Sequence, residues 1–185
     1  MTAWRRVGAA GRGLLGAVSL VGGLTWMLLN LDRPGPATDM IVGAVLGAGG
    51  LVLLMPHRVG LPGRATAATT VGTALAGTGA GLLVASEYTA GMYVYVASRG
   101  WPYDWLARGA TADDAATARQ VAGASGWQVD AVNLAADLYF WALAGLLIVA
   151  ITGRLRRLGA ARREARVPVS PGPGVPQRGA GAGRP

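Results

Sequence analysis

Asp130, Asn133, Asp137 and Trp141 recur at spacings of three and four, which places them on one face of a helix. With Glu87 they form a candidate polar cluster. Carboxylates so gathered could exchange protons with a substrate, hold a cation or line a transport path. They would have to do so almost alone: the chain has one histidine, His57, and neither cysteine nor lysine. That excludes, within this chain, disulfides, thiolate and Schiff-base nucleophiles, iron–sulfur clusters, Cys-ligated zinc, bis-His haem and a P-loop lysine. No spacing singles out a metal, so no metal or cofactor is expected.

The elements that must carry these residues are membrane helices. Of 185 residues 52% are apolar and only 14% charged, against about 25% charged in soluble domains, and the apolar residues fall in long blocks. A span needs about 20 predominantly apolar residues. Four segments qualify, at residues 13–31, 40–56, 65–87 and 131–153, the last interrupted only by Asp137. The sequence therefore predicts an all-α fold: a four-helix transmembrane bundle with a small helical cap in the outer loop 88–130. Within that loop Thr111–Asp114 has the form of a helix start with acids in the first turn, and Gly123 and Gly126 suit its end. The first segment lacks a convincing cleavage site and reads as a retained helix rather than a signal peptide.

Arginine sets the orientation. Thirteen of the 17 arginines fall in the N-terminal arm 1–12, the loop 56–64 and the tail from Arg154, and the segments between are poor in them. The positive-inside rule places both termini in the cytoplasm of a multi-pass plasma-membrane protein. Arginine in place of lysine, with 30 glycines, suggests a GC-rich, bacterial coding sequence. The net charge of +8 reads as a topology signal, and no nucleic-acid partner is expected. Residues 154–166 (RLRRLGAARREAR) read as a basic cytoplasmic extension of the last helix, lying on anionic lipid. Residues 167–185 are rich in Pro and Gly and read as disordered.

This topology decides the depth of the acids. Asp137 is 17 residues from Arg154, about 25 Å along a helix, and Glu87 falls about 35 Å from Arg64. Both are therefore expected near the outer edge of the bilayer, wet or paired with Arg99 or Arg119. Gly43 and Gly47, like Gly77 and Gly81, follow a four-residue spacing that lets helices approach closely. A short loop separates the second and third helices, so these glycines are expected to face one another in a hairpin. Aromatics crowd the outer side, and Trp101, Tyr103, Trp105, Trp127 and Trp141 form a candidate interaction surface there.

Three functions fit. The foremost is a non-catalytic subunit or accessory factor of a cell-envelope membrane assembly, with a membrane-protein partner or a second copy. The others are a small transporter or channel using Glu87 and Asp137, and an enzyme acting on lipid at the outer face.

Overall fold

The computed structural model describes residues 2–32, 37–55, 63–91 and 93–164. The helices are α1 (Thr2–Leu29), α2 (Ala37–Leu54), α3 (Gly63–Gly81), α4 (Ala115–Ala124) and α5 (Ala131–Glu164). The strands are β1 (Ala85–Ala90), β2 (Val94–Arg99), β3 (Leu106–Thr111) and β4 (Gln128–Val129). The protein is mostly helical but not all-α: the segment between α3 and α5 carries a four-stranded antiparallel sheet in the order β1-β2-β3-β4.

Among the described residues, three helices are long and apolar enough to cross a membrane: Val7–Leu29 within α1, α2, and Ala131–Gly159 within α5. At about 1.5 Å per residue even the 18 residues of α2 approach the ~30 Å of a bilayer core. α3 has 19 residues but the composition GRATAATTVGTALAGTGAG, too rich in Gly and Thr to match the other three. It also stops at Gly81, short of the expected end at Glu87. Residues 2–12, expected as an arm, already belong to α1, and α5 runs without a break to Glu164. His57, Arg166 and the segment 167–185 lie outside the described residues.

The helices pack as α1 on α2, α2 on α5 and α5 on α3; α2 and α3 share no substantial contact among the described residues. The expected hairpin of facing glycines is therefore replaced by two separate pairs. α1 meets α2 backbone to backbone: a Cβ on Gly50 would lie 2.6 Å from the Gly16 carbonyl oxygen, and one on Gly23 would lie 2.6 Å from the Gly43 oxygen and the Gly47 nitrogen. Gly77 instead lies beneath the Trp141 ring of α5, and Gly81 against the Trp101 backbone. Gly145 of α5 sits on Thr70 and Thr73 of α3. These pairings make α1 antiparallel to α2 and α3 antiparallel to α5. The sheet joins the end of α3 to the start of α5, so it lies at the opposite end from the start of α1 and the end of α5. The bundle core is Val42, Ala74, Phe140, Leu143, Leu146 and Ala150.

The cap has its own small core. Tyr95 and Ala97, two apart on β2, point to one face of the sheet, where Ala118 and Ala122 of α4 cover them together with Ala110 and Ala112. The small alanines let α4 lie close to the strands. Asp114 caps α4, its carboxylate accepting from the Thr117 hydroxyl at 2.6 Å and from the Ala116 and Thr117 amides at 2.9 Å, and those bonds, the Thr117 hydroxyl's first, hold the carboxyl below its ordinary value. The expected cap helix is thus present, three turns long, as one layer over a sheet.

Candidate functional site

The stripe on α5 meets the loop between β2 and β3, residues 100–105. Gly100 begins that loop at φ +137°, a backbone conformation that side chains resist, and a Cβ there would collide with the Tyr103 carbonyl oxygen. A cis Trp101–Pro102 peptide follows. The chain thereby turns its backbone polar groups toward α5, which answers them one by one. The Asp130 amide donates to the Trp105 carbonyl oxygen (2.8 Å), and the Asn133 side-chain amide to the Asp104 carbonyl oxygen (3.0 Å). The Tyr103 amide donates to Asp137 Oδ1 (3.4 Å), and Trp141 Nε1 to the Trp101 carbonyl oxygen (3.2 Å). Every member of the sequence stripe is used, in order along the helix. Asp130 also caps α5, its Oδ1 accepting from the Val132 and Asn133 amides.

Rings close the lower part of this clasp. Trp101 packs edge-on to Phe140 at 5.8 Å between centroids and tilted against Trp141 at 5.6 Å. Burial pushes the Tyr103 phenol above its ordinary value, and the Asp137 and Asp39 carboxylates add to the effect. Asp39 in turn accepts from Trp26 Nε1 at 3.1 Å, which ties the sheet-side end of α1 to α2. Ser98 donates to Asp104 Oδ2 at 2.8 Å, and Ser86 shares a 2.7 Å hydrogen bond with Ser98. β1, β2 and the loop are stitched together there.

The two candidate acids part company. Asp137 is fully buried, against the expectation of a wet boundary residue. Its Oδ2 has no hydrogen-bond partner among the described residues; the Thr78 hydroxyl of α3, also buried, lies against the carboxyl but outside hydrogen-bonding geometry. Glu87 is not on a helix at all. It lies on β1 opposite Ala97, with its side chain 57% exposed and 3.6 Å from Arg119 of α4. The Arg119 guanidinium also covers the Tyr95 ring at 5.1 Å. A hydrogen bond to Glu87 is the main cause that raises the Tyr95 phenol above its ordinary value; the Arg119 charge opposes it. The expected pairing of an outer acid with Arg119 is seen for Glu87, while Asp137 lies against Tyr103 and Thr78.

The aromatic surface divides likewise. Trp101, Tyr103, Trp105 and Trp141 are partly buried in the clasp. Trp127 stays 39% exposed, with the Arg108 and Arg99 guanidinium groups over its ring at 4.6 and 5.5 Å. Sequence reasoning found the stripe but missed the loop carbonyls it binds, because backbone acceptors leave no mark in residue types. Among the described residues, no group of three His, Cys, Asp or Glu could hold a metal ion. Comparison with protein-family models, curated proteins and solved structures gives no match.

Proposed function

We propose that the protein is a non-catalytic subunit or accessory factor of a membrane assembly in the bacterial cell envelope. In this reading α3 is a fourth span completing a transmembrane bundle, both termini are cytoplasmic, and the sheet and α4 form an extracytoplasmic cap that meets a membrane-protein partner. The observation that carries it is the clasp: Asp130, Asn133, Asp137 and Trp141 are spent on holding the loop 100–105, and Glu87 faces Arg119 elsewhere. The polar residues best suited to chemistry thus have structural employment. Among the described residues β1 is an edge strand, and a surface suited to a partner lies where α3 runs into it, with Leu83 87% exposed and Val84 and Tyr88 beside it. An unpaired strand edge and exposed apolar side chains favour protein contact. Photo-crosslinking from position 88 in native membranes tests this. A discrete protein adduct is expected; adducts with lipid alone would contradict it.

A transporter is the second reading, favoured by the buried and half-satisfied carboxyl of Asp137, since an ionisable group inside a bundle commonly marks a pathway. It requires Asp137→Asn to abolish flux in proteoliposomes while the protein stays folded.

A further inference from the structure

At the end away from the sheet, the bundle is not closed. Because α2 and α3 both rest on α5 and share no substantial contact among the described residues, a cleft of about 530 Å³ remains between them. Val52 and Leu53 of α2, Ala67 and Val71 of α3 and Leu146 of α5 form alkyl walls, and Arg12 of α1 joins the lining. Arg12 is exposed and is the sole charged residue of that lining. Thr70 also faces the cleft, and its buried Oγ1 has no hydrogen-bond partner among the described residues.

We propose that this cleft binds one anionic phospholipid, an acyl chain lying between α2 and α3 and the phosphate on Arg12. The proposal rests on the reading of α3 as a fourth span. An alkyl-walled slot open to a bilayer fills with hydrocarbon, because water there would lack polar partners. The volume is in the range of about 300–1,000 Å³ typical of ligand sites. A guanidinium with no carboxylate beside it favours phosphate, which it can grip through two parallel N–H bonds. A zwitterionic headgroup would bring its own ammonium to the same place. The Thr70 hydroxyl supplies a donor for an ester oxygen of the lipid. Charge also disfavours other occupants. The described helix ends there, with Arg64 of α3 and Arg154, Arg156, Arg157 and Arg162 of α5, are themselves predominantly basic, so neither they nor the same end of a second copy complements Arg12.

The test is native mass spectrometry of the detergent-purified full chain, titrated with palmitoyl-oleoyl phosphatidylglycerol or with the phosphatidylcholine of the same chains. One retained phosphatidylglycerol is expected, preferred about fivefold over phosphatidylcholine, the value of one arginine near anionic lipid. Arg12→Gln should abolish that preference, and Arg154→Gln should leave it unchanged. Val71→Trp should reduce retention of both lipids; should that variant misfold, the exposed Arg12→Gln decides alone. Equal retention of the two lipids by the wild type, or a preference that survives Arg12→Gln, overturns the proposal. So does a disulfide formed between cysteines placed at 71 and 57 in the presence of phosphatidylglycerol, which would put the chain's own segment in the cleft. Labelling of a cysteine at 71 by an aqueous maleimide in membranes would instead show that α3 is not a span, and so separates that failure from this one.

Discussion

Glu87 and Asp137 are the two acids that a reader of the sequence would place side by side, and the fold puts them in opposite physical regimes. Glu87 sits on an open strand, more than half exposed, facing an arginine that is more exposed still. Water screens that pair, and exposed ion pairs contribute about 0–1 kcal/mol. Asp137 is out of water, where a hydrogen bond that is made, or an oxygen left without one, matters by about 1–3 kcal/mol. The same side-chain chemistry therefore trims a surface in one place and fixes a joint in the other. What distinguishes them is the neighbouring backbone. The loop 100–105 exposes carbonyls and an amide that need partners, and α5 supplies them in register.

The contrast can be broken most forcefully at Gly77. A side chain there must displace the Trp141 ring, so Gly77→Leu should cost roughly 3 kcal/mol or more in detergent unfolding. Trimming the ring with Trp141→Leu in the Gly77→Leu background should recover part of that loss; no recovery would mean that Trp141 is not what the glycine accommodates. A smaller effect of opposite sign is expected for Asp137→Asn. The amide oxygen can keep the Tyr103 bond while no charge is held out of water, so stability should rise by about 1 kcal/mol. A loss in the same unfolding assay would show that the negative charge itself is required.

Glu87→Gln should change stability by less than about 1 kcal/mol, and by less still in high salt. Its clearer signature is at Tyr95. With the folded phenol raised above 10.0 chiefly by Glu87, the contribution of Tyr95 to stability is fully present below pH 10 and is lost as the pH climbs through the folded value. Glu87→Gln should bring the Tyr95 phenolate absorbance titration back toward the ordinary value; an unmoved titration would mean that burial, not Glu87, sets it. Asp114 runs the other way. Its folded value lies below 3.8, so its contribution holds above that pH and fades as the pH falls through the folded value. Hydrogen-exchange protection in the first turn of α4 should therefore weaken in acid, whereas Asp114→Asn, which still caps, should flatten that dependence.

The sequence made α1, α2 and α5 legible as helices apolar enough to cross a membrane, because blocks of that length so poor in charge have few other uses. It also made the α5 stripe legible, through helical spacing, and the presence of α4, through Thr111–Asp114, although Thr111 ends β3 and Asp114 is the cap, so no acid stands in the first turn. It misled at β1. The segment ASEYTA follows directly on the apolar Leu82–Val84, so a window suited to membrane helices carries the helix on into the strand. VYVASR, with its alternating β-branched and aromatic residues, is a strand pattern that the reading of the crowded aromatics as an interaction surface obscured. The glycine pairs were misassigned for a different reason. Spacing reveals that a helix face is small, not which neighbour covers it, and here Trp141 and the α1 backbone fill the places that a hairpin partner was expected to take.

The central claim is that the α5 stripe is a clasp acting on the loop 100–105, independent of the Glu87 pair. The most direct measurement is amide hydrogen exchange at Tyr103, whose N–H donates to Asp137. It should be compared in the wild type, in Trp141→Phe, which keeps a ring but removes the bond to the Trp101 carbonyl, and in Glu87→Gln. Faster exchange at Tyr103 is expected in Trp141→Phe, and no change in Glu87→Gln. Exchange that is unaffected by Trp141→Phe, or accelerated equally by both substitutions, would contradict it.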